Sequence, residues 1–266
     1  MTLRPTLLSH LAGSAVLAFL LLPVLAVVPA SFNASSFIRL PPQQVSLRWY
    51  HAFFADPEWL RALLTSIEVA LAATVIAVVI GTLAALGLER ASPRVRAVVV
   101  GLVLSPLIVP VIMTAIALYY VTRFIGLHGT IAGLALGHAL LCLPFVVINV
   151  GIALRNVDIN CRRAAEGLGA SQGRIFRTIT LPLILPGLAG GAAFAFVTSF
   201  DEVVLAIFLA GDTAKTLPVK MWEVVRIEFT PVAAVGSSLL IALTLLMFIA
   251  VQLLRQRNAG REGSHG

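Results

Sequence analysis

Long apolar runs recur six times along the chain, and polar residues gather in the short stretches between them. Crossing about 30 Å of hydrocarbon takes roughly 20 apolar residues in a helix, because lipid offers backbone N–H and C=O groups no partner. The pattern predicts an all-α, polytopic membrane protein with six transmembrane helices, near 11–30, 62–88, 97–121, 131–153, 184–210 and 232–254, forming a single domain over 1–266. The first run is read as a retained anchor and not a cleaved signal, since no formal charge occurs from Pro5 to Ile38 and the run exceeds a normal signal core. Two helix entrances are marked locally. Asp56-Pro57-Glu58 offers a cap, a proline at the first helical position and an acid in the first turn, and Thr230-Pro231 repeats the cap and proline before the sixth span. Trp49, Tyr50, Phe53 and Phe54 suit either a short helix at the membrane surface or ordinary loop packing. Pro106 and Pro110 should kink the third span and free carbonyls.

Composition agrees. Of 266 residues, 59% are hydrophobic and only 12% charged, and the mean hydropathy is +0.99, which excludes a soluble globular enzyme. The net charge of +7 needs no nucleic acid, because membrane proteins gather Lys and Arg in cytoplasmic loops. One side of the predicted topology holds Arg4, Arg90, Arg94, Arg96, Arg155, Arg162, Arg163, Arg174, Arg177, Arg255, Arg257 and Arg261. The other side holds the remaining basic residues beside Asp56, Glu58, Asp212, Glu223 and Glu228, so both termini are expected in the cytoplasm.

The connection from about Leu154 to Leu183 is too polar to cross and too long for a simple turn. Residues 157–168 read as a helix, Gly169 as its break, Ser171 as the cap of a second short helix to about Ile179, and Leu181-Pro182 as its end. Such a knob standing off the membrane is a shape a soluble partner can grip.

Ala164-Ala165, Gly169, Ile179 and Leu181-Pro182, at these spacings, resemble the cytoplasmic EAA loop of prokaryotic ABC importer permeases. Three further stretches carry the resemblance over most of the chain: Ser46-Leu47-Arg48-Trp49-Tyr50, Ser199-Phe200-Asp201-Glu202-Val203-Val204, and Leu217-Pro218-Val219-Lys220-Met221-Trp222. Together they are similar to the second permease subunit of spermidine/putrescine-type importers. The resemblance implies a bacterial inner-membrane permease that pairs with a homologous second permease, two copies of a cytoplasmic ATPase and a periplasmic substrate-binding protein. It also implies that the loop between spans 4 and 5 docks as a coupling helix, with Ala164, Ala165 and Gly169 small for close packing and Ile179, Leu181 and Pro182 setting the return into the membrane. Here Arg163 stands at the family's glutamate position, with Glu166 three residues on. Arg162, Arg163, Arg174 and Arg177 have two candidate partners, acids of an ATPase and anionic lipid.

An acid near mid-bilayer costs a few kcal/mol, about 3 on insertion scales, and normally faces protein or a watery cavity. Asp201 and Glu202 fall in the fifth run. Either they attract a cationic substrate during passage or they form a gate or inter-subunit hydrogen bond; as neighbours on a helix they diverge by about 100°. A stripe through Thr198, Asp201 and Leu205 would line a polar wall. Glu68 is placed near the interface. His138, in the fourth run, is either part of a proton relay or bonded to an adjacent helix.

Catalysis, cofactors and metals find no support. There is no GxxxxGK[ST] phosphate loop, no HExxH, and Cys142 and Cys161 form no CxxC pair. Gly169-Ala170-Ser171-Gln172-Gly173 fits GxSxG, but that motif needs a preceding buried strand and a polar helix precedes it here. The competing function is an ion-gradient-driven secondary transporter or channel, for which inverted repeats are expected and none is seen.

Overall fold

The computed structural model describes residues 7–36, 40–227 and 230–262. Arg4 and Glu228 of the charge count lie outside the described residues, as do the side chains of Arg255, Arg257 and Arg261. The helices are α1 (Leu7–Ser31), α2 (Arg48–Ala55), α3 (Pro57–Arg90), α4 (Pro93–Ile108), α5 (Val111–Phe124), α6 (Ile131–Arg155), α7 (Ile159–Gly167), α8 (Gln172–Ile175), α9 (Leu181–Phe200), α10 (Val204–Leu209), α11 (Leu217–Ile227) and α12 (Pro231–Glu262). Among the described residues, five helical stretches are long and apolar enough to span, and α4 with α5 makes a sixth when counted as one broken span.

Two compact units are present, one comprising 1–61 with 220–242 and the other 62–219 with 243–266. In the first, the described side chains of α1 from Leu11 to Leu25 are exposed, with Phe19 at 79%. Beyond it, Ser31 Oγ lies 2.8 Å from the Tyr50 hydroxyl, and the Phe32 and Tyr50 rings sit 5.1 Å apart. Residues 48–55 do form a short helix, α2, which buries Phe53 against Trp59. Asp56 accepts from the Glu58 N–H at 2.8 Å, the cap its sequence foretold. Lys220 pairs with Glu58.

The second unit is built on an antiparallel pair, α6 and α9. His138 meets Ser199, Cys142 meets Ala195, Val146 meets Gly191, and Ala153 meets Gly187. Gly187 and Gly191 share one face of α9, spaced as in a GxxxG motif. A Cβ at Gly187 would fall 2.5 Å from the Ala153 Cβ and 2.8 Å from the Asn149 carbonyl oxygen. These glycines let the backbones close, which is how helices pack where lipid removes any hydrophobic drive between them. Around this pair two apolar clusters fill the unit, one on Val146, Val150, Leu154 and Ile184, the other on Leu134, Leu141, Leu205 and Leu209.

Three expectations are corrected. The third span is broken, not merely kinked: Pro106 stays inside α4, Val109 and Pro110 are extended, and α4 and α5 diverge by 105°. A residue before proline avoids the helical region, so Val109 leaves the helix, and Pro110 caps the next one, which begins at Val111. The fifth span is interrupted at 201–203 and resumes as the short α10. Leu181-Pro182 does not end the loop's second helix. Residues 176–180 form a π turn that carries α8 without a gap into α9, giving one helix over Gln172–Phe200. Proline lacks an N–H and crowds the carbonyl four residues back, and the wider π turn directly before Pro182 relieves both.

Candidate functional site

The loop after α6 is closed by its own backbone. Asp158 accepts from the Asn160 N–H at 2.8 Å and starts α7. At the other end, Gly169 donates to the Glu166 carbonyl at 2.9 Å and Ala170 to the Ala165 carbonyl at 3.0 Å. These are the two bonds of a Schellman close, which needs a left-handed residue; Gly169 has φ of +81°. Nothing lies within 4 Å of a Cβ added there, so glycine is required by backbone conformation and not by local space within the chain. Ala165 and Ala170 are half-buried at this turn, whereas Ala164 faces solvent. Ser171 then accepts from Arg174 N–H at 3.4 Å, capping α8, which is the role of the serine in the GxSxG string.

Two polar links tie this knob to the last turn of α3. Arg162, with its side chain 11% exposed, pairs with Glu89 at 2.7 Å. Arg90 donates to Gln172 at 3.0 Å, and Gln172 donates to Glu166 at 2.7 Å. Arg162 is therefore an internal anchor and not free for an ATPase or a lipid, and Glu166 is occupied within the knob. Arg163, Arg174 and Arg177 remain exposed. So does Leu168, at 89%, an apolar side chain held out beside the close. Ile179 is half-buried in the π turn, as is Leu181 at the start of α9, and Pro182 is exposed.

The acidic pair sits elsewhere, at the break after α9. Asp201 caps that helix through its N–H to the Val197 carbonyl at 3.1 Å, and its side chain is exposed. Glu202 accepts from the Leu205 N–H at 2.9 Å and so opens α10. Leu205 is fully buried, so the proposed stripe of Thr198, Asp201 and Leu205 does not exist. The α6 register gives the depth. His138 lies seven residues into α6 and meets Ser199, so at about 1.5 Å per residue Asp201 is roughly 7 Å inside the end of α6 opposite the 154–183 connection.

His138 is fully buried, with Nδ1 2.9 Å from Ser199 Oγ and 3.1 Å from its carbonyl oxygen. A carbonyl only accepts, so Nδ1 carries the proton and the ring bonds the adjacent helix, the second of the two readings above. Glu68 is exposed on α3. Sequence reasoning passed over Glu89 and the glycines of α9; only the glycines had a readable signal, their four-residue spacing.

The chain as a whole is matched by known proteins. The family model for "Binding-protein-dependent transport system inner membrane component" matches residues 77–260. The chain belongs to that family. It is 32% identical over 251 residues to the spermidine/putrescine transport system permease protein PotC of Escherichia coli (strain K12), covering 94% of this chain and 95% of the relative. It is 31% identical over 254 residues to the putrescine transport system permease protein PotI of the same strain, covering 91% and 89%. A solved bacterial ABC transporter that imports the acidic polysaccharide alginate shares the fold, with a TM-score of 0.73, 14% identity, and 94% and 95% of the two chains covered. This membrane component of an ABC importer is a permease, and its membership speaks against the ion-gradient alternative.

Proposed function

We propose that this permease, a single domain over 1–266, imports a small organic cation of the polyamine class, driven by ATP hydrolysis in separate subunits. The observation that carries the mechanism is the stapled knob of α7 and α8. It is closed by Gly169, tied to α3 through Glu89 and Arg162, and continuous with the 29-residue helix Gln172–Phe200. A push on the knob by a soluble partner moves a single helix that reaches the break at Asp201. Arg163, Ala164, Ala165 and Gly169 form the face toward the ATPase, with Leu168 as its exposed apolar point. Ile179, Leu181 and Pro182 carry the motion into α9. The charge asymmetry supports a cytoplasmic position, in a bacterium, for this face and both termini. Two ATPases, a second permease and a periplasmic binding protein complete the assembly.

Polyamine is favoured by the named substrates of the relatives and by the exposed carboxylate of Asp201. In this account Asp201 attracts the cation, while Glu202 holds the break open by capping α10. The test is uptake of labelled spermidine and putrescine into proteoliposomes that hold the chain with its partners. ATP-dependent uptake of either is expected. ATP-dependent uptake of a neutral sugar with no polyamine uptake would overturn the substrate assignment.

A further inference from the structure

Between α3, α4 and α6, at the end that carries the knob, lies a cavity of about 320 Å³. That is the scale of a small-ligand pocket. Its walls are apolar: Val100 and Leu104 come from α4, Ile148, Gly151 and Ile152 from α6, and Ala85 from α3. α4 contributes no buried residue, and its half-buried Val100 and Leu104 border this trough. The mouth is charged. Glu89, Arg96 and Arg155 line it, and Glu89 already has its cation in Arg162. Arg96 donates to the carbonyls of Leu88 and Glu89 at 3.0 and 3.1 Å, which fixes it over the end of α3 and leaves three of its five N–H groups. Arg155 is exposed in the last turn of α6.

We propose that this cavity holds an anionic phospholipid, its phosphate between Arg96 and Arg155 and an acyl chain in the trough. An apolar slot opening at a membrane surface under two arginines selects a molecule with an anion at one end and hydrocarbon at the other. Basic pockets between transmembrane helices bind anionic headgroups by this charge match. A cationic substrate meets two guanidinium groups and is repelled, so the cavity is separate from the pathway. Gly151 supplies the trough's floor, since nothing lies within 4 Å of a Cβ built there.

The test is made on the full chain purified with its partners. Lipid retained after mild detergent exchange is quantified by mass spectrometry, and the melting temperature is measured with added phosphatidylglycerol or phosphatidylcholine. The wild type should retain phosphatidylglycerol at least threefold above its share of the membrane extract, and should melt higher with phosphatidylglycerol only. Arg155→Gln and Gly151→Leu should each abolish both effects, while Arg61→Gln, a charge change outside the cavity, should keep them. Retention at the bulk membrane ratio, or enrichment undiminished in both cavity variants, overturns the proposal. Should one variant fail to assemble, the other and the wild-type response to the two added lipids decide the matter.

Discussion

Gly169 offers a graded perturbation of the coupling knob. Its φ of +81° is left-handed, and the space around a Cβ there is empty, so substitution acts through the backbone alone. The left-handed region costs a residue with a Cβ roughly 1–2 kcal/mol, less for asparagine and more for a β-branched residue. That is a factor of about 5–30 in the ratio of closed to open loop. If the closed loop is what docks, the apparent affinity for the ATPase falls in proportion to the closed fraction. Uptake by proteoliposomes assembled at limiting ATPase should therefore rank Gly169, Asn, Ala, Val, with Gly169→Ala down by up to the factor above and Gly169→Val lower still. Hydrolysis by the free ATPase should not change. Equal uptake across the series would refute the reasoning, because then neither the Schellman close nor its glycine contributes to coupling.

Asp201→Asn should cut uptake about tenfold, equivalent to about 1.4 kcal/mol, at unchanged yield of assembled protein, whereas Glu202→Ala should lower stability by about 1 kcal/mol through loss of the α10 cap; a normal Asp201→Asn transporter would defeat the pathway role. Glu89→Ala leaves the Arg162 guanidinium poorly solvated and should cost about 3 kcal/mol, read as a lower melting temperature that changing both residues to Met restores in large part. Gly187→Ala should destabilise by about 1–3 kcal/mol because the added carbon meets the α6 backbone, while Gly151→Ala, with open space, should be neutral or slightly stabilising; equal melting temperatures for the two would contradict the α6–α9 packing.

The apolar runs and the knob were legible because each depends on local pattern: run length, a cap and a glycine; the aromatic cluster at 48–55 left a short helix and a loop both open. The breaks were not. At Val109-Pro110 the prolines announced a disturbance, but a 105° turn depends on what α5 packs against, which is α10. At Asp201 the apolar residues 203–210 read as continuous helix, and the capping role of Glu202 emerges only once Leu205 is buried. Pro182 looked like a stop because a π turn has no signature in residue order. The acidic pair was found from its cost in lipid, yet the division of labour between a capping Glu202 and an exposed Asp201 needed the backbone. Glu89 and Arg162, 73 residues apart, form an ion pair that no local pattern foretells.

In the function proposed above, the knob between α6 and α9 couples this permease to its ATPase. Co-purification tests it directly, using a tagged full chain beside one whose residues 158–182 are scrambled, with everything retained identified by mass spectrometry. An ATPase and a second permease are expected with the native loop, and the second permease without the ATPase when the loop is scrambled. Retention of the ATPase by the scrambled chain at the native level would contradict it.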